Sequence, residues 1–303
     1  MSFSELYYKY GQILANEKAR YTGNIWHYTS AQGLKGILEN HQLWFSDRRF
    51  LNDPTECNYL YKLIAKNKDM FKNYNKNFYG LLQKIVNNFS IFGCYIGGFI
   101  YIPQFVCFVA SFSKSKDNLE LWNYYTKSQH SAGYAIKVSA KNIIKSLDEQ
   151  NYNYIYGEVI YDDKKQVNMI KELLDSYEQM FIRMHGTDEE CIIVPEFLYE
   201  LAYILEFYNI FFKPKAYKNE QEYRFVVHCD GFGEDKNLNK KFRIFNDIFI
   251  PYIELDLPSN YVKEIMVSPS VDQNLLQDGL NLFKNSTIYK KANTSLSDID
   301  KRY

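Results

Sequence analysis

The chain has 303 residues, with 36 acidic and 36 basic side chains and 46% hydrophobic residues. That length allows one large domain or two small ones. Because balanced charge provides no generally basic surface, the composition argues against a general nucleic-acid-binding protein. The five cysteines and five histidines are scattered, without the spacing of a metal site or a disulfide framework. We therefore expect reduced thiols, no metal centre and a cytoplasmic protein.

One uncharged stretch needs an explanation, because it is long enough to cross a bilayer. It runs from Ile85 to Ser113. It contains Gly97, Gly98 and Pro103, and its end has the pattern of a strand. We expect a buried turn followed by a core strand, and no membrane association. The first residues also lack the basic and apolar regions of a signal peptide.

Apolar periodicity predicts one mixed domain over residues 1–303, with a core at about 22–292. The first half predicts a helix over 3–20, a strand over 24–30, a helix capped by Ser30, a strand over 43–46, helices after Glu56 and over 66–88, and a strand over 105–113. The second half predicts a helix capped by Asp117, strands over 133–138 and 157–161, broken helices over 164–210, strands over 222–228, 249–255 and 262–267, a helix over 271–284 and a strand over 287–292. The polar residues 293–303 predict a loose tail.

Three predicted strands carry polar side chains at alternate positions, and alternate residues of a strand share a face. The sets are His27 with Thr29, Ser111 with Ser113, and Glu220 with Glu222 and Arg224. Polar residues at the ends of apolar strands predict a cleft. The alternatives are a core histidine, an ordinary strand end, and an exposed Glu222–Arg224 pair. Because Glu222 lies opposite Tyr223 and Phe225, we expect its carboxylate to point out of the core.

The order of several motifs along the chain resembles that of a known protein family. The motifs are H-Y-T-S at 27–30, F-L-N-D-P-T-E at 50–56, S-F-S at 111–113, L-W-N-Y-Y at 121–125 and K-A-Y-K-N-E-Q-E-Y-R at 215–224. Together they resemble an uncharacterised bacterial family, a domain of unknown function, that shares H-Y-T, N-D-P-x-E and E-Y-R signatures. That family is related to the ADP-ribosyltransferase-like fold. The resemblance spans roughly residues 25–267 and implies an α+β fold of two facing antiparallel β-sheets with helical insertions.

The resemblance implies catalytic roles for two carboxylates. ADP-ribosyltransferases carry an H-x-T or H-x-S pattern on an early strand, often S-x-S on a middle strand, and the catalytic glutamate on a late strand, frequently within E-x-E. By this match, Glu222 would stabilise the positive charge that develops on the ribose, and Glu220 would act on the acceptor. Ser111 and Ser113 would support Glu222 and form the floor of the cleft.

The same resemblance implies an NAD-binding set. His27 would bind ribose hydroxyls, and Thr29 or the backbone beside it would orient the carboxamide. The aromatic ring that stacks on nicotinamide would be Tyr28 or Phe50. Arg224 would either reach the pyrophosphate or pair with Glu222, and the sequence leaves both open.

The expected function is NAD-dependent ADP-ribosyl transfer or NAD hydrolysis. NAD is then a substrate, the acceptor is a protein or a nucleic acid, and the role is by analogy that of a toxin or phage-defence effector. A second hypothesis is an RNA phosphotransferase that uses NAD, which would need a basic groove. A third is a non-catalytic module that binds a nucleotide or a protein.

Overall fold

The computed structural model describes residues 23–51, 56–88, 94–96, 100–102, 106–125, 132–185, 195–229, 238–259, 261–270 and 272–299. The predicted helix over 3–20 lies outside these residues. So does most of the F-L-N-D-P-T-E motif.

The described residues form one mostly antiparallel sheet of ten strands and a separate hairpin of two, β3 and β4. The strands are β1 Asn24–Ser30, β2 Gln42–Asp47, β3 Cys94–Ile96, β4 Ile100–Ile102, β5 Cys107–Ser113, β6 Gly133–Ser139, β7 Tyr154–Glu158, β8 Glu222–His228, β9 Lys241–Phe245, β10 Ile248–Asp256, β11 Val262–Val267 and β12 Asn293–Leu296.

The helices lie on both faces of this sheet. They are α1 Ala31–Asn40, α2 Tyr59–Lys66, α3 Lys76–Asn88, α4 Leu119–Tyr125, α5 Ala140–Glu149, α6 Asp163–His185, α7 Pro195–Phe211 and α8 Gln273–Asn285. The Ser30 cap of α1 is confirmed, since Ser30 Oγ accepts the Gly33 N–H at 3.1 Å. The Asp117 cap is wrong: Asn118 Oδ1 accepts the N–H groups of Glu120 and Leu121 instead.

The sheet divides at β5, the strand that carries Ser111 and Ser113. One edge of β5 pairs along its whole length with β8. The other edge is shared by β1, which pairs at Ser113, and β2, which pairs at Phe108 and Val109. The expected mixture of helices and antiparallel strands is confirmed. In place of the two facing sheets that we expected, ten of the strands in the described residues form one connected sheet, which divides at β5.

Strand β8 is buried on both sides, but its two faces differ in chemical character. Tyr223, Phe225 and Val227 join a core built with α1, α5 and α8. Glu222 and Arg224 lie on the other face, where Arg224 donates to the last turn of α7. Helix α7 is apolar around its circumference and almost wholly buried, as expected of a helix that packs within a core.

Three predictions near strand ends are wrong. The predicted strand over 157–161 is β7, at Tyr154–Glu158. The predicted strand over 287–292 consists of turns and bends, and residues 293–296 of the predicted loose tail form β12, which pairs parallel to β11. Ser297 Oγ then donates to Asp117 Oδ1 at 2.8 Å, so tertiary contacts order a polar segment with no apolar pattern.

The uncharged stretch from Ile85 contains the end of α3, the two-stranded hairpin and β5. Among the described residues, no helix is both long and apolar enough to cross a membrane.

Candidate functional site

The start of β8 holds the two predicted catalytic carboxylates, but they occupy different elements. Glu220 ends a 3₁₀ helix over Lys215–Glu220, so its predicted place on the strand is wrong. Gln221 follows in the left-handed conformation with φ 44°, and Glu222 begins β8. Despite this turn, both carboxylates reach Lys213 Nζ, at 2.8 Å for Glu220 Oε2 and 3.0 Å for Glu222 Oε2. We call Lys213, Glu220, Glu222 and Arg224 the Glu222 cluster.

Arg224 forms a bidentate ion pair with Glu222. Its Nε donates to Oε1 at 2.7 Å and its Nη2 donates to Oε2 at 2.9 Å. Its Nη1 donates to the Ile210 carbonyl at 2.5 Å, in the last turn of α7. Because helix C-termini carry partial negative charge, this position suits a guanidinium. The sequence left two roles open for Arg224, contact with the pyrophosphate or pairing with Glu222, and in the structure Arg224 pairs with Glu222.

The neighbouring strand β5 supplies the predicted serines. Ser113 lies opposite Glu222 in the register, and its Oγ donates to the Glu220 carbonyl at 2.6 Å. Ser111 shares a side-chain hydrogen bond with Glu222. The Glu222 N–H also donates to Tyr161 Oη at 3.0 Å. The structure therefore brings Ser111, Ser113, Glu220, Glu222 and Arg224 together.

The expectation that Glu222 points out of the core is wrong, because the carboxylate is buried. Burial alone would raise its pKa. The charges of Arg224 and Lys213 and the hydrogen bonds from Arg224 and Ser111 outweigh burial and lower the pKa of Glu222 to about 2. The carboxylate is therefore ionised at neutral pH, and two cations provide the compensation that a buried charge requires.

His27 and Thr29 lie on the opposite face of the sheet from the Glu222 cluster. Trp26 pairs with Ser113, so those two side chains share a face and His27 falls on the other. The His27 ring lies 5.3 Å from the Phe112 ring, which confirms this side. The structure thus does not place His27 or Thr29 beside Glu222.

His27 nevertheless touches β5 where the sheet divides. Its Nδ1 lies 3.0 Å from the Ser111 carbonyl oxygen. Because a carbonyl only accepts, Nδ1 carries the proton and donates. Burial lowers the pKa of His27, while this hydrogen bond raises it less. The ring is therefore neutral, and its Nε2 carries a lone pair rather than a proton.

Neither predicted stacking ring belongs to the Glu222 cluster. The Tyr28 hydroxyl donates to the carbonyls of Ser115 and Lys116, and its ring packs edge-on against Trp122 at 4.7 Å. Phe50 follows β2 in a 3₁₀ helix, toward the other end of β5 from Ser113. Tyr28 is buried, which leaves no open ring face for a nicotinamide in this arrangement.

Sequence reasoning gave no role to Lys213 or Tyr161. Lys213 is nearly buried, and its Nζ also lies 5.1 Å from the centre of the Tyr217 ring. The sequence did contain a signal for Lys213. Two glutamates and one arginine leave a net negative charge, which cannot be buried without a further cation. Lys213 is the first cation after the long apolar α7. Tyr161 has no comparable signal.

A second buried ion pair lies along the same helix. Arg48, which follows β2, pairs with Glu206 of α7, and Tyr61 donates to the same carboxylate. Both charged side chains are almost fully enclosed. We call Arg48 and Glu206 the Glu206 pair. In the described residues, no group of acidic, histidine or cysteine side chains could hold a metal ion.

One comparison bears out part of the expected resemblance. A family model described as a protein of unknown function (DUF2971) matches residues 121–225. The matched range begins in α4, includes α6 and α7, and ends just past the Glu222 cluster. A domain of unknown function is therefore present over this range. No curated protein matches the chain.

Proposed function

We propose that the protein cleaves the bond between nicotinamide and ribose in NAD and passes the ADP-ribosyl group to an acceptor or to water. The observation that carries the proposal is the Glu222 carboxylate at the start of β8, which Arg224 and Lys213 hold in place. It lies beside Ser111 and close to the point where the sheet divides.

The chemistry of this bond favours such a group. Cleavage leaves positive charge on the ribose, so a fixed negative charge nearby stabilises the transition state more than the ground state. Glu222 meets this requirement because Arg224 and Lys213 keep it ionised and hold it in place. Glu220 is the more accessible carboxylate, with 16% of its side chain exposed, and suits contact with an acceptor.

The location of His27 limits how NAD would bind. His27 and Glu222 lie on opposite faces of the sheet, and Ser111 of β5 contacts both, through its carbonyl oxygen to His27 and through its side chain to Glu222. A dinucleotide that contacts both residues would cross β5 between the point where it pairs with β1 and the point where it pairs with β2. There the Nε2 lone pair of His27 would accept a hydrogen bond from a ribose hydroxyl.

A second candidate is a non-catalytic nucleotide-binding module. The favouring observation is that Glu222 is already paired with Arg224, Lys213 and Ser111, as in a purely structural cluster. Such a protein would bind NAD and leave it intact.

The test is incubation of the full chain with NAD labelled on the adenosine, alone and with cell extract, while released nicotinamide is measured. Nicotinamide release with labelled macromolecule identifies a transferase, and release without label identifies a hydrolase. Binding without release identifies the module. If the protein neither binds NAD nor releases nicotinamide, the proposal is overturned.

A further inference from the structure

A β-hairpin formed by β9 and the first half of β10 exposes an unusual number of apolar side chains. Phe242, Ile244 and Phe249 are 62%, 67% and 65% exposed, and Phe245 and Ile248 are about half exposed. Isolated exposed apolar residues are normal, but five within eight positions mark an interaction site.

The hairpin is a formed ribbon. Asn246 and Asp247 have φ values of 49° and 62°, which fits the two-residue turn whose twist matches paired strands. Strand β10 pairs with β2 only from Tyr252 onward. The ribbon therefore projects past β2, which explains why both of its faces are exposed.

The outer edge of β9 has no partner strand among the described residues, where β9 ends the sheet order. Phe245 and Ile248 close the hairpin, so pairing alternates along the ribbon from that pair. Phe245 and Arg243 therefore direct their backbone groups toward β10, while Ile244 and Phe242 direct theirs outward. An outward row of this kind is a template for another strand.

We propose that this edge pairs with the same edge of a second copy of the chain, antiparallel and centred on Ile244. Charge selects this register. Centring on Arg243 would place two arginines opposite each other, and centring on Phe242 would place Lys241 opposite Arg243 of the second copy. Centring on Ile244 places Arg243 opposite Phe245 and brings Lys241 near Asp247 of the second copy.

The same register joins the apolar side chains across the two-fold axis. Phe242, Ile244 and Phe249 lie on one face of the ribbon, because Ile244 pairs with Phe249 and Phe242 pairs with Pro251. The second copy extends this face into one apolar surface, as an isologous interface requires. A lipid surface suits the ribbon less well, because Asp247 is at its tip and apolar residues occupy both faces.

The first test is the molar mass of the full chain in solution over a range of concentrations. We expect a dimer for the native chain and a folded monomer for Ile244→Lys, with an unchanged circular dichroism spectrum. Because association stabilises the folded state, the melting temperature of the native chain, but not that of Ile244→Lys, should rise with concentration. Leu282→Lys is the matched control, because Leu282 is an exposed apolar residue on α8, at 76% exposure. This variant should remain a dimer.

A second variant locates the axis. At the centre of the register the two Ile244 Cα atoms would be about 5.5 Å apart, within the range that a disulfide spans. Ile244→Cys should therefore form a covalent dimer under mild oxidation, whereas the native chain and Leu282→Cys should not.

Three results would overturn the proposal. They are a native chain that stays monomeric, a folded Ile244→Lys that stays dimeric, and an Ile244→Cys that gives no covalent dimer. If the native chain is a monomer that floats with phosphatidylcholine–phosphatidylglycerol vesicles and Ile244→Lys does not float, the hairpin is a membrane contact instead.

Discussion

Two buried ion-pair sites lie along α7, and they differ in what surrounds the carboxylate. The Glu206 pair joins one glutamate to one arginine, with Tyr61 on the same carboxylate. The Glu222 cluster joins two glutamates to Lys213 and Arg224 at the end of the helix. The first site is enclosed, whereas the second reaches the surface through Glu220.

The difference separates a structural role from a candidate functional one. An enclosed pair contributes to stability only while both partners remain, because removing one leaves a buried charge. The Glu222 cluster has the same requirement, but it also has a carboxylate near solvent and a division of the sheet beside it. A ligand could approach only the second site.

The largest expected effect is on the enclosed site. Glu206→Gln should lower the free energy of unfolding by about 3–5 kcal/mol, because the buried Arg48 guanidinium loses the counter-charge of Glu206. Urea denaturation measures this value. The control is Glu200→Gln on the same helix, with an expected change within about 0.5 kcal/mol. A small change in Glu206→Gln would show that the enclosed pair is dispensable.

The second prediction concerns the open site. Glu222→Gln should slow nicotinamide release about a hundredfold or more, roughly 3 kcal/mol, with NAD affinity changed far less. It should also reduce stability, since Arg224 and Lys213 lose a counter-charge, so rates are compared well below the unfolding midpoint. Glu158→Gln on neighbouring β7 is the control. Wild-type turnover in Glu222→Gln would leave the binding module as the better proposal.

Acid should act on the same carboxylate. The pKa of Glu222 is lowered from 4.5 to about 2. Between these two pH values the folded state therefore binds fewer protons than the unfolded state. Its contribution, about 3 kcal/mol, is fully present above about pH 4.5 and is lost as the pH falls toward 2. Urea titrations across this range should show a loss of stability that is absent from Glu222→Gln. Equal acid sensitivity in both proteins would assign the loss to other groups.

The smallest expected effect is on NAD binding. His27→Ala should weaken NAD affinity about tenfold, or about 1.4 kcal/mol, by removing one hydrogen-bond acceptor. Calorimetric titration beside a melting curve measures both properties. His41→Ala is the control, since His41 lies at the end of α1, away from β5. A lower melting temperature without a separate loss of binding would make His27 a core residue.

Local patterns predicted the strands that define the site. β1 and β5 are apolar runs that end in polar residues, β8 begins with polar residues, and alternation correctly placed Glu222 and Arg224 on one face. The pattern gave no sign that α7 covers this face, so the burial of Glu222 was missed. β12 was missed because its polar residues carry no strand signal before β11 and Asp117 order them.

The relative placement of the motifs needed information that no single strand contains. His27 and Ser111 each belong to an alternating pattern, but the register of Trp26 with Ser113 decides which patterns share a face. A shift by one residue would have put His27 on the same face of the sheet as Glu222. Cross-strand register therefore limited the prediction of the site more than strand assignment did.

The pairing of β5 with β8 also bears on how the chain reaches its fold. Val109 pairs with Val226, so the central strand gains this neighbour only after a long later stretch of chain has been synthesised. Contacts this distant in sequence slow folding, and an apolar strand with an open edge favours aggregation meanwhile. Yield during expression should therefore depend on chaperone capacity and improve when synthesis is slowed by cooling.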